Sequence, residues 1–130
     1  MKTTQQIAIQ SIDLLHHWIA DVFTTASANA LEKLSEHFTE DFSMRTMSGS
    51  LLNYAQVMSF FRQQQGKKPS LTIEIESIEV ITEHPDYVWI AYQERQFERS
   101  STTLRGSIAC IKINQDSWQW KYLQETPIPL

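Results

Sequence analysis

Two glutamates, with the polar side chains that alternate beside them, are the residues best suited to chemistry. Period two along an extended strand puts Ile90, Tyr92, Glu94 and Gln96 on one face, and Leu123 with Glu125 on one face of another strand. If both faces turn toward one cavity, the carboxylates share it. Repulsion and desolvation then raise at least one pKa, the usual way to hold a proton donor beside a base near neutrality. Glu94 and Glu125 are therefore the candidate catalytic pair. The alternative is that either lies at a solvated end of the sheet or pairs with Arg105. Arg105, Ser107 and Ala109 alternate on an adjacent strand. In one register Arg105 points inward, where it pairs with Glu94 or clamps a ligand carboxylate in a bidentate fork. In the other it points outward and Leu104, Ile108 and Cys110 turn in. Tyr92 and Thr46 bring hydroxyls to the same expected cavity, and a buried tyrosine hydroxyl needs a partner whether or not a ligand is present.

The remaining chemistry-bearing residues imply little. His16 and His17 are adjacent on a helix and point about 100° apart, so they cannot chelate one ion as an i, i+4 pair does. His37 lies near a helix C-terminus, where the dipole favours a cation, and His84 precedes Pro85 in a turn. Cys110 has no histidine or basic partner in its strand and reads as a small core residue. Being the only cysteine, it excludes an internal disulfide and a thiolate metal cluster. The three glycines, Gly49, Gly66 and Gly106, are far apart, which excludes glycine-rich phosphate cradles. Neither a metal nor a cofactor is expected. A formal charge of −4 gives no basic excess to draw nucleic acid or anionic lipid. No apolar run is long enough to span a bilayer, and the unpaired cysteine and polar N-terminus fit a reducing cytoplasm.

The elements that must position these residues fall into two halves of one domain, residues 1–130. Ala8, Ile12, Leu15, Ile19, Val22 and Phe23 form an amphipathic helical stripe. Asn29 and Glu32 have capping-box spacing for a second helix, whose apolar face is Leu31, Leu34 and Phe38. Phe42 to Met47 alternates as a short strand that ends at Ser48-Gly49. Asn53 and Gln56 cap a third helix bearing Tyr54, Val57, Met58 and Phe61, stopped by Gly66 and Pro69. The second half reads as four strands. In the first, apolar residues sit on odd positions at Leu71, Ile73 and Ile75 and on even ones at Ile78 and Val80. That change of parity at Glu76-Ser77 marks a β-bulge. The others run from Tyr87 to Arg99, Thr102 to Asn114 and Trp118 to Thr126, the last stopped by Pro127 and Pro129. Helices first and a long antiparallel sheet after make an α+β protein.

This order resembles the nuclear transport factor 2-like superfamily, the cone-shaped fold shared by SnoaL-like polyketide cyclases, ketosteroid isomerase and limonene epoxide hydrolase. Its local marks are Phe38-Thr39-Glu40-Asp41-Phe42 leading into the first strand, the Gly49 turn before helix three, and the closing Trp120-Lys121-Tyr122-Leu123-Gln124-Glu125-Thr126. The chain is most similar to bacterial SnoaL-like domains that carry Ser-Met-x-Thr, here Ser43 to Thr46, and end in Trp-x-x-x-x-Glu-Thr. The resemblance implies a curved antiparallel sheet with three helices on its concave face and a conical pocket between them. It also puts the isomerase general-base aspartate at or beside Thr46, which cannot serve as that base. The two epoxide hydrolase aspartates match Glu94 and Glu125, but the position of that family's arginine falls on Tyr92. Histidines common on the last SnoaL-like strand are replaced by Gln124 and Thr126. A pocket is kept while no relative's catalytic set is complete, and fold alone does not choose a function.

The expected function is binding of a small, largely hydrophobic molecule, with Met44, Thr46, Met58, Tyr92, Arg105 and Leu123 as ligand-binding residues. The alternatives are an acid–base enzyme of hydrolase, isomerase or cyclase type using Glu94 and Glu125, and a homodimerisation module with no ligand. Trp89, Trp118, Trp120 and Tyr122 alternate opposite the inward set, on a face no helix is left to cover. They predict a two-fold dimer made sheet to sheet.

Overall fold

In the computed structural model, which describes residues 1–130, nine elements follow one another along the chain. They are α1 (Thr4–Thr25), α2 (Ala28–Glu36), β1 (Phe38–Arg45), β2 (Leu51–Asn53), α3 (Tyr54–Gln63), β3 (Thr72–Glu83), β4 (Tyr87–Glu98), β5 (Ser101–Asn114) and β6 (Ser117–Ile128). The strands form one open sheet in the order β2-β1-β6-β5-β4-β3. This is the α+β cone architecture, with one difference from the expected sheet. β1 pairs with β6 in parallel, while every other neighbour is antiparallel, so the sheet is mixed. β2, a three-residue strand, also joins the sheet; it is too short to show any period in sequence. No helix is long and apolar enough to cross a membrane.

Local chemistry sets most boundaries. Thr3 and Gln6 form a reciprocal capping box on α1, and Asn53 with Gln56 forms the expected one on α3. The cap of α2 is Ser27 rather than Asn29: its hydroxyl accepts from the Ala30 N–H at 3.1 Å. Ala26, in the left-handed region at φ 56°, ends α1 and leaves Ser27 extended, which places Asn29 inside the first turn. The bulge in β3 falls where parity changes, between Glu76 and Glu79, with Ser77 at φ 57°. β6 continues through Pro127 to Ile128, paired with β5 alone, because β1 ends opposite Gln124 and the missing proline donor costs no bond on that side.

The core fills the angle between helices and sheet. Ile12, Leu15 and Val22 of α1, Leu34 of α2 and Val57, Met58 and Phe61 of α3 pack against Phe42, Val88, Ile90, Ile111 and Trp120. Two residues expected on the outer face belong to this layer. Trp120 is completely buried and donates its indole N–H to Ser11 Oγ at 3.1 Å, while Trp118 stacks on Trp18 of α1 at 5.8 Å. The cause is a bulge in β6: Cys110 pairs with Tyr122 and Ile111 with Trp120, so Lys121 is skipped and the alternation shifts by one residue. Tyr122 and Trp89 stay outside, 6.2 Å apart, flanking the buried thiol of Cys110.

Candidate functional site

Beyond the packed layer the inner face of the sheet opens on a cavity of about 360 Å³. Its walls come from different parts of the chain. One is apolar and built by the segment from β1 to α3, with Phe38, Phe42, Met44, Leu52, Val57 and Phe61, facing Leu15, Ile19 and Phe23 of α1. The other is polar and belongs chiefly to the sheet. Glu94 and Gln96 reach it from β4, Arg105 from β5 and Glu125 from β6, and His16 joins them from α1. Registration explains the gathering: Glu94 lies directly opposite Arg105, and Ser107 opposite Glu125, so four inward positions converge on three adjacent strands.

Of the proposed site residues, Glu94, Glu125, Arg105, Met44, Thr46 and Leu123 border the cavity. Arg105 takes the inward register, and Ile108 beside it is 40% exposed on the opposite face. Met58 and Tyr92 do not border the cavity. Both are 2% exposed and lie within the packed core, where Tyr92 directs its hydroxyl at His16 Nε2, 3.4 Å away. Thr46 stands at the β1–β2 turn, where its hydroxyl is bonded to the Ser48 hydroxyl and the Ser50 N–H.

His16 is the polar residue that sequence reasoning passed over. It is 4% exposed, and its Nδ1 lies 2.7 Å from the Ile12 carbonyl while its Nε2 lies 3.1 Å from Glu94 Oε1. A carbonyl only accepts, so Nδ1 carries a proton, and a second proton must lie between Nε2 and the carboxylate. The signal was present in the helical stripe: position 16 follows Ile12 by four and precedes Ile19 by three, which puts it on the buried face. Glu94 also accepts from the Gln96 amide at 2.6 Å, and Arg105 Nη1 donates to Glu125 Oε1 at 3.3 Å.

These contacts move the carboxyls in opposite directions. Burial pushes Glu94 up, but the His16 charge and hydrogen bond, with Arg105 and the Gln96 amide, outweigh it and bring the group down to about 2. Burial pulls His16 down, and the Glu94 charge, its hydrogen bond and the Ile12 carbonyl more than reverse this, leaving the imidazole raised. Glu125 is raised, first by burial and then by the charge of Glu94, against the opposing pull of Arg105. Burial, then Glu94 and Glu125, lift the Tyr92 phenol well above its ordinary 10.0, so it stays neutral. Two buried atoms, Arg105 Nε and Ser107 Oγ, have no hydrogen-bond partner, so the network is not fully satisfied by the protein itself. No group of three or more His, Cys, Asp and Glu residues is placed to hold a metal ion.

The arrangement is matched elsewhere as a whole chain. The SnoaL-like domain family model matches residues 15–126. An NTF-2-like protein of unknown function from Pseudomonas aeruginosa is 30% identical, with a TM-score of 0.90 over 95% of this chain and 99% of that one. An NTF2-like protein from Cytophaga hutchinsonii, 14% identical, superposes with a TM-score of 0.77 over 98% of this chain and 100% of its own. An uncharacterised protein with a cystatin-like fold from Caulobacter vibrioides, 16% identical, gives 0.65 over 92% and 91%. At those identities the latter two share the fold alone. No curated protein matches the chain.

Proposed function

The chain belongs to the SnoaL-like domain family, and from that premise we propose that it binds a small, largely hydrophobic molecule in the cavity between helices and sheet. One observation carries the reading: twelve of the twenty residues around a cavity of about 360 Å³ are hydrophobic, and five of the polar ones, His16, Glu94, Gln96, Arg105 and Glu125, share one wall. That is the composition of a ligand site, with apolar area for affinity and a few fixed polar groups for orientation. A protein selected only for stability fills such a space, since an empty cavity costs packing energy in proportion to its volume. The neutral fluorescent probe prodan tests the proposal. Saturable binding with blue-shifted emission is expected, and Met44→Trp, which fills the cavity, should abolish it. No saturable binding, or binding unaltered by Met44→Trp, overturns the reading.

A second reading, acid–base catalysis, is favoured by the opposed shifts of Glu94 and Glu125 around one cavity. In it Glu125 donates the proton, Glu94 with His16 receives one, and Arg105 or Thr46 positions a substrate oxygen. Turnover of epoxides, enones or lactones that falls in both Glu94→Gln and Glu125→Gln supports it; unchanged turnover in both variants removes these residues from the mechanism. We further propose that two copies associate through the outer sheet face, where the half-buried Trp89, Ala91 and Tyr122 and the exposed Ile108 lie free of any helix. Light scattering that finds a monomer at micromolar concentration excludes this.

A further inference from the structure

The cavity's charges cancel on the wall where they are gathered. His16 and Glu94 hold one proton between Nε2 and Oε1, because Nδ1 is already committed to the Ile12 carbonyl. Wherever that proton sits on the line, the pair sums to zero. Arg105 and Glu125 make a second pair of opposite charges, Nη1 to Oε1 at 3.3 Å. The one other charged residue bordering the cavity, Lys68, lies over the Phe23 ring at 5.3 Å. Phe23 is seven residues from His16 on α1, so Lys68 is anchored about 10 Å further along the helix.

A charged head group brought to the polar wall would shed hydration without meeting a free counter-charge. An uncharged one meets unused hydrogen-bonding capacity. Of the five N–H donors of Arg105, one is used by the protein, and Glu125 accepts a single bond although its oxygens have room for several. Donor and acceptor therefore stand side by side, and a hydroxyl is the group that answers both. We propose that the ligand is an uncharged alcohol on an apolar skeleton, its hydroxyl donating to Glu125 and accepting from Arg105, and that this ion pair sets the preference. The proposal rests on the ligand-binding reading and specifies its chemistry.

The test uses one skeleton with three heads: phenylbutanol, phenylbutyrate and phenylbutylamine, measured by calorimetry at neutral pH against the 130-residue chain. The alcohol should bind about tenfold more tightly than either ion, roughly one charge left without its counter-charge in a partly solvated site. Glu125→Gln leaves Arg105 unpaired and should move the preference to phenylbutyrate. Arg105→Gln leaves Glu125 unpaired and should move it to phenylbutylamine. Phenylbutyrate or phenylbutylamine binding the unaltered protein as tightly as the alcohol overturns this inference while leaving the cavity a binding site, a result that needs no variant to fold. An unchanged preference in a folded Glu125→Gln protein overturns the role given to the pair. Failure of all three compounds to bind overturns both this inference and the reading beneath it.

Discussion

Along β6 the inner face of the sheet changes from solid to hollow. At its start, Trp118 and Trp120 are pressed against α1, with Trp120 fully buried and its indole N–H satisfied by Ser11. At its end, Leu123 and Glu125 look into the cavity, and buried polar atoms nearby lack partners. The same strand, five residues on average from one region to the other, thus packs against α1 first and borders the cavity second. Side chains interdigitate at one end, and the buried polar atoms that have no partner within the protein lie near the other. His16 stands on the seam. Its ring meets Tyr92 and Trp120 edge-on at 5.4 and 6.0 Å, while its Nε2 belongs to the charged wall.

Substitutions should separate the two ends. Trp120→Ala in the solid region should have the largest effect, a loss of about 4 kcal/mol from cavity creation, read by chemical denaturation. A loss below about 1 kcal/mol would mean that the aromatic layer is not the stabilising end. His16→Ala comes next, at about 3 kcal/mol near neutral pH, because it leaves the Glu94 carboxylate buried and unpaired. That deficit should shrink as the pH falls below 4.5 toward 2, where Glu94 takes up a proton in the unaltered protein as well. In the unaltered protein the pair has its own pH window. Glu94, lowered to about 2 from 4.5, contributes stability above 4.5 that is lost as pH falls toward 2. His16, raised from 6.5, contributes stability below 6.5 that is lost as pH climbs through its folded value. The pair's stabilisation should therefore be greatest between pH 4.5 and 6.5, and a His16→Ala difference that does not vary between pH 5 and 9 would deny the charge interaction. Glu125→Gln at the hollow end should be smallest, within about 1 kcal/mol, since folding already disfavours the ionised carboxyl. A larger loss would show Glu125 to be structural.

What the sequence disclosed follows from where parity and caps report plainly. α3 was legible because Asn53, Gln56 and the Tyr54-to-Phe61 stripe agree, and the β3 bulge because isoleucines change from odd to even positions. The matching bulge in β6 was hidden. Trp118, Trp120, Tyr122 and Leu123 suit either face, so a skipped Lys121 leaves no trace in the pattern, and two tryptophans were assigned to the wrong side. The inward placement of Glu94 and Glu125 was legible from period two, because each follows an apolar or aromatic residue on its own face. The burial of His16 was less plain: it lies on the α1 stripe between Ile12 and Ile19, but the adjacent His17 obscures that spacing. The parallel β1–β6 pairing was beyond reach, since nothing local tells a strand which distant edge it will join.

The apolar wall has a further property: Phe38 to Phe61 is one unbroken stretch of chain, whereas the charged wall is assembled from three strands and a distant helix. That stretch is tied to the remainder of the sheet through β1 and β6, along a ladder that is itself interrupted between Phe38 and Ser43. Shape and chemistry are thereby inherited separately. A short exchange or insertion confined to those two dozen residues can resize the cavity, while the charged groups of the other wall stay in register.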